Sequence, residues 1–295
     1  MRQNTENVIE KILDSYNEYP LITRLDAECV LNKKTVVEIL EQIRKIIFPG
    51  FFNEAKVSLD YAKYLLGNQI EFVEKNLKTQ IEKALGGEEC NECGIDERAE
   101  ALTKDFISKI PKLREYLNTD VVAAYEGDPA AFSTDEIIFS YPGIFAITVY
   151  RVAHELFLLG IPMLPRIMTE YAHSLTGIDI HPGAEIGKYF FIDHGTGIVI
   201  GETTVIGERV KIYQGVTLGA LSTRKVEKLR GAKRHPTICD NVTIYSGTTI
   251  LGGDTVIGKG VTIGGNAFIT SSVDEGLKVS VKNPELKFSG AKDCQ

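Results

Sequence analysis

Two hydrophobic rhythms divide the chain. Up to about residue 176, apolar residues recur at spacings of three and four, the period of helices that bury one face. Val8, Ile9, Ile12, Leu13 and Tyr16 form one stripe, and Val36, Ile39, Leu40, Ile43 and Ile47 another. Further helical segments are expected at 56–85, 98–124, 143–159 and 162–175, with breaks at Pro49-Gly50, Gly86-Gly87 and Pro142-Gly143. From Asp179 the spacing becomes six. Ile180, Ile186 and Ile192 form one run; Ile200, Ile206, Ile212 and Leu218 a second; Ile238, Ile244 and Ile250 a third; Ile257, Ile263 and Ile269 a fourth. Glycine follows many of them, at 187, 201, 207, 219, 258 and 264.

Thirteen aliphatic positions in four in-phase runs describe a solenoid. Short parallel strands stack at ~4.8 Å with the repeated aliphatic pointing inward, and small residues allow the corners. A period of six leaves handedness open, and the usual rule for parallel crossovers favours a right-handed coil. The phase slips at 192–200 and 250–257, and the break at 219–237 reads as a protruding loop. The expected organisation is an α + β protein: a helical domain at 1–176, a β-helix at 177–274 and a tail at 275–295.

Composition narrows the function. The 295 residues are 43% hydrophobic and 25% charged, as in globular proteins, and the formal net charge of −7 argues against a duplex nucleic-acid binder. No apolar stretch approaches the ~18 residues a membrane span needs, and the first twenty residues carry acids where a signal peptide has an apolar core, so a cytoplasmic location is expected. The five cysteines (Cys29, Cys90, Cys93, Cys239, Cys294) are scattered and odd in number, unlike a secreted disulfide framework. Cys90 and Cys93 form a CNEC pair with no second Cys or His pair nearby to complete a zinc site, which favours a plain loop over a metal or redox role.

The strings DIHPGAEIG, FIDHGTGIVIGET, VTLGA and KRHPTI, in that order after a helical region containing GDPA, resemble the serine acetyltransferase family over roughly residues 125–272. The resemblance implies an N-terminal all-α helical domain followed by a left-handed parallel β-helix with three hexapeptides per coil. It also implies trimers that pair into hexamers through the helical domains. The implied reaction converts L-serine and acetyl-CoA to O-acetylserine and CoA, the first step toward cysteine, with acetyl-CoA as co-substrate and no metal.

A serine hydroxyl is a poor nucleophile at neutral pH, so acyl transfer needs a base. By resemblance His194 is that base and returns the proton to the departing thiolate, while Asp179 orients it in a His-Asp dyad. Their separation of 15 residues, near the 18 of one implied coil, suggests neighbouring coils. On the residues alone, the favoured reading is His194 as a polar corner residue and Asp179 as a turn former before the first strand. The amino acid's ammonium calls for acids and its carboxylate for an arginine, roles that fall by resemblance to Asp128 and Asp193, and to Arg234 and His235 across a subunit boundary. Asp128 before Pro129 also reads as a helix N-cap. His181 suits either a structural hydrogen bond or a supporting role, His154 helix packing, and Glu202 a place near the pocket.

Acetyl-CoA would lie along the solenoid beside Gly219, Ala220 and Ser246. Arg224, Lys225, Lys228, Arg230, Lys233 and Arg234, with Glu227 the one acid among residues 224–234, form a basic stretch suited to CoA phosphates or simply to solvation. This loop is longer than the family's common short version. The chain also ends at Gln295 where members that bind O-acetylserine sulfhydrylase end in isoleucine, which argues against that partnership. Three other functions compete: a hexapeptide acyltransferase for a sugar or antibiotic, a zinc lyase like the γ-class carbonic anhydrases, and a non-catalytic scaffold. The GDPA string and RH pair oppose the first. The absence of two histidines within five residues opposes the second, and the cluster of serine-compatible residues opposes the third.

Overall fold

A computed structural model describes residues 2–25, 30–53, 58–86, 94–221 and 231–282. The CNEC pair, the loop cations Arg224, Lys225, Lys228 and Arg230, and the terminal Gln295 lie outside the described residues. Among the described residues eight α-helices come first: α1 (Arg2–Glu18), α2 (Lys33–Ile47), α3 (Leu59–Gly86), α4 (Ile95–Ser108), α5 (Ile110–Gly127), α6 (Thr134–Ser140), α7 (Pro142–Leu158) and α8 (Leu164–Thr176).

The stripe of α2 is buried at every position, and Asn32 caps the helix by accepting from the Thr35 amide at 3.2 Å. The stripe of α1 forms a helix as expected but remains exposed. The expected segment 98–124 is two helices, because Pro111 has no N–H to continue a ladder and sits instead in the first turn of α5. Helix α6 was not legible as a periodic segment, being only seven residues; Ser133 starts it by accepting from Glu136 N. No single described helix is long and apolar enough to cross a membrane.

Among the described residues the six-residue period becomes fourteen short strands in three parallel sheets. They are β1 (Asp179–Ile180), β2 (Glu185–Ile186), β3 (Phe191–Asp193), β4 (Val199–Ile200), β5 (Val205–Ile206), β6 (Lys211–Tyr213), β7 (Thr217–Gly219), β8 (Thr237–Ile238), β9 (Thr243–Ile244), β10 (Thr249–Leu251), β11 (Val256–Ile257), β12 (Thr262–Ile263), β13 (Phe268–Ile269) and β14 (Lys278–Val279). The first sheet runs β1-β4-β7-β10-β13, the second β2-β5-β8-β11, and the third β3-β6-β9-β12-β14. Each strand therefore pairs with the strand one coil away. The register places Ile180 on Ile200, Ile206 on Ile238 and Ile212 on Ile244. All thirteen repeated aliphatics are buried, so their period is the period of the core.

Helices α5 and α7 clamp the first coil. Arg151 of α7 pairs with Asp120 of α5, both buried, at 2.6 and 2.9 Å, and also donates to the carbonyls of Ile186 and Gly187. Asp120 in turn accepts from Phe190 N at 3.0 Å. Tyr150 donates to Ala184 O at 2.6 Å, and the His154 ring meets Pro182 O at 2.8 Å, which makes His154 a packing residue of the helix–solenoid joint. These bonds satisfy strand-end carbonyls that a helix face would otherwise leave buried and unpaired. They also set the end of α5, with Asp128, directly over β3.

Candidate active site

The sites divide between two edges of the triangular solenoid. Along the edge joining the third sheet to the first, β3 leads into β4 through an extra pair of residues, His194 and Gly195, which is the slip seen at 192–200. Both take positive φ, 59° and 96°. Gly195 is required there, since a Cβ would fall 2.5 Å from Ile178 Cδ1 and 2.9 Å from Ile192 Cγ2. The insertion pushes His194 outward: its side chain is 73% exposed, with Nε2 3.9 Å from Asp193 Oδ1.

Asp128 reaches this edge from the helical side. It is the C-cap of α5 and not an N-cap; its Oδ1 accepts from Ala130 N at 2.8 Å, and its Oδ2 from the Tyr141 hydroxyl at 2.6 Å. The hydrogen bond from Tyr141, then that from Ala130, hold the Asp128 carboxyl below its usual range, with the charges of Lys211 and His194 adding to the effect. The same bond, seen from the phenol, pushes Tyr141 up to about 12, so Tyr141 is a donor at any working pH. Lys211 Nζ donates to Gly127 O at 2.6 Å and lies 3.4 Å from Asp193 Oδ2. The site thus brings Asp128, Asp193 and His194 to one edge.

Asp179 opens the same coil that His194 closes. It pairs with Val199, so that coil spans 20 residues, and 15 residues of separation fall short of a neighbouring coil. Among the described residues neither the Asp179 carboxylate nor the His194 ring has a hydrogen bond to the other. Asp179 lies instead with Glu170 and His173, their ligand-type atoms within 4.8 Å of one another, and Glu170 is also paired with Arg166.

Arg234 and His235 stand at a different edge, between the first and second sheets. Arg234 pairs with Glu202 across one coil. Burial raises the Glu202 carboxyl, but the hydrogen bond and charge of Arg234 outweigh it and hold the group below its usual range. Thr203 organises the rest: its Oγ1 accepts from Arg234 N at 2.9 Å and His235 N at 3.1 Å, and its amide donates to His235 Nδ1 at 3.0 Å. An acceptor Nδ1 leaves the ring proton on Nε2. Burial, then the neighbouring Arg234 charge, depress the His235 pKa to about 4, so the ring is neutral and offers Nε2–H as a donor. The ring fits because residue 201 is glycine, where a Cβ would lie 2.1 Å from His235 Cδ2. His181 accepts from Gly183 N at 3.0 Å, a structural bond, and burial lowers its pKa.

The residues expected to meet CoA divide the same way. Gly219 and Ala220 lie at the edge of Arg234, and Ser246 at that of His194. Tyr141, Thr203 and Lys211 were missed by sequence reasoning. Tyr141 lay hidden beside the Pro142-Gly143 break, and Thr203 inside IGET. Lys211 could have been found, because it precedes the inward Ile212 and therefore faces outward one coil beyond Phe191.

No family model matches the chain. A plasmid-encoded serine acetyltransferase of Synechococcus elongatus is 48% identical over 252 residues, covering 82% of this chain and 79% of that protein. Among solved structures, serine acetyltransferase isoform 3 of Entamoeba histolytica in complex with cysteine matches with a TM-score of 0.73 and 39% identity, over 86% of this chain and 84% of that one. The serine acetyltransferase of Neisseria gonorrhoeae in complex with serine matches at 0.56 and 26%, over 84% and 97% of the two chains. A serine acetyltransferase in complex with CoA matches at 0.52 and 26%, over 80% and 93%.

Proposed function

The chain belongs to the serine acetyltransferase family, and from that premise we propose how it moves the acetyl group of acetyl-CoA to the hydroxyl of L-serine. His194 takes the hydroxyl proton as the serine oxygen attacks the thioester carbonyl. A tetrahedral intermediate forms, its C–S bond breaks, and the imidazolium returns the proton to the CoA thiolate, releasing O-acetylserine and CoA. The observation that carries this is the two-residue insertion that exposes His194 at an edge also lined by Asp193 and Asp128.

Asp128 and Asp193 serve the ammonium of serine, and Arg234 and His235 its carboxylate, Arg234 by exchanging its Glu202 partner for the substrate. Asp179 orients the His194 imidazole in the assembled enzyme. Within one chain the Asp128–Asp193 pair and the Arg234–His235 pair lie at the two ends of one face of the triangular coil, about five residues or ~16 Å apart, too far for one amino acid to touch both. A second copy that sets its Arg234 edge against the first copy's His194 edge closes the pocket. It also unites Gly219 and Ala220 of one chain with Ser246 of the next as an acetyl-CoA groove. This favours a homotrimer or a dimer of trimers. The reading requires no metal. L-cysteine, which presents the same ammonium and carboxylate, competes for the pocket, and a cytoplasmic site of action fits the reaction.

A continuous assay of CoA release with L-serine tests the proposal, repeated with added cysteine. His194→Ala should lower turnover by ~10³-fold or more while the oligomer persists. Near-normal turnover would remove His194 from this role.

A further inference from the structure

Lys211 of β6 has no part in the scheme above, yet it is the one cation that touches both halves of the His194 edge among the described residues. Its ammonium donates to the carbonyl of Gly127, the residue before Asp128, at 2.6 Å, and lies 3.4 Å from Asp193 Oδ2. Its position is fixed from below, with Nζ 4.8 Å from the centroid of the Phe191 ring and 4.7 Å from that of Tyr213. Tyr213 is itself stacked on Tyr245 at 4.9 Å. The Lys211 side chain is 22% exposed and Asp193 14%, so water screens this charge only partly.

We propose that Lys211 is a positioning and specificity-setting residue at the ammonium end of the pocket. It ties the Gly127–Asp128 turn of the helical half to Asp193 of the solenoid and cancels one of their two negative charges. The remaining charge of minus one matches a single ammonium. Two carboxylates without a cation between them would repel each other and spread apart; a fixed lysine holds both in place before the substrate arrives, and this ordering outweighs its own repulsion of the ammonium. The chemical class so selected is a free α-amino acid with a protonated amine. This inference rests on the assignment of Asp128 and Asp193 to the amine.

The test uses the full chain with Lys211→Met, Lys211→Gln and Lys211→Arg. Met keeps the apolar stem over Phe191 and Tyr213; Gln keeps a neutral donor without charge; Arg keeps the charge. Met and Gln should each raise the KM for L-serine about tenfold, the effect of releasing Asp128 and Asp193 from the positions that meet the ammonium. Both should weaken L-cysteine binding, measured by calorimetry, by a similar factor. The KM for acetyl-CoA should stay within twofold, and Arg should restore most of the serine affinity. Wild-type serine KM in Lys211→Gln would overturn the proposal by showing that a neutral tie suffices. A parallel rise in both KM values, unrescued by Arg, would overturn it by assigning Lys211 to folding alone. If Lys211→Met does not fold, the Gln and Arg pair still decides. His194→Ala separates this from the reading beneath it: normal turnover there sinks the site, whereas an inactive His194→Ala beside a wild-type Lys211→Gln sinks only Lys211.

Discussion

Gly201→Ala should damage serine binding without touching the chemistry at His194. The methyl would fall 2.1 Å from Cδ2, 2.2 Å from Nε2 and 2.7 Å from Cγ of His235. Restoring ordinary contact means moving the ring by about 1.3 Å or more, and the ring is only 8% exposed. Movement on that scale breaks the bonds of Nδ1 to Thr203 N at 3.0 Å and to its hydroxyl at 2.9 Å, worth ~0.5–1.5 kcal/mol each. It also carries Nε2–H away from the place proposed for the serine carboxylate. The two bonds together come to ~1–3 kcal/mol, so the serine kcat/KM should fall by about 5- to 150-fold at ~1.4 kcal/mol per decade, while an overpacking cost of ~1–3 kcal/mol lowers the melting temperature. The acetyl-CoA KM should change little. CoA-release kinetics at varied serine, with a thermal melt, provide the measurement. Gly67→Ala is the control, because Gly67 lies on α3 with nothing within 4 Å and alanine is the better helix former by ~1 kcal/mol. A Gly201→Ala enzyme with wild-type serine KM and melting temperature would refute the fitting of His235 against Gly201.

Two further outcomes follow from the same structure. Arg151→Met strands Asp120 as a buried, unpaired carboxylate and should cost ~3–5 kcal/mol in urea unfolding; an Asp120→Leu/Arg151→Met double variant should recover much of this, and no recovery would contradict the charge argument. His235 gives a pH dependence whose sign is fixed. The unfolded ring binds a proton below about 6.5 and the folded ring only below about 4, so the stability present above pH 6.5 declines as pH falls through that window. The decline, on the order of 2–3 kcal/mol, should flatten in His235→Gln. Unfolding midpoints between pH 7 and 4 measure it, and parallel curves for the two proteins would refute it.

How much of this was legible beforehand depends on the range of the signal. The six-residue period is local and redundant, repeated in thirteen buried aliphatics, so the solenoid could be read directly from the sequence. The slips were legible as slips, but not as devices. Only the folded corner reveals that the step at 192–200 is two residues in positive φ that expose His194. The step at 250–257 likewise makes room for another stretch of backbone: a Cβ at Gly253 would lie 2.5 Å from Lys233 O.

Sequence by itself determined the two architectures, their order, and the residue types needed for acyl transfer, because periodicity and motif strings are properties of neighbours along the chain. Tertiary structure decided which of those residues meet. It joined Asp128 to Tyr141 and Lys211 to Gly127, across 13 and 84 residues, and it placed Arg234 and His235 an entire sheet away from His194. Such pairings depend on where helices dock against the solenoid and on which corner each coil turns. Those geometries arise from packing between distant segments, and no local pattern encodes them.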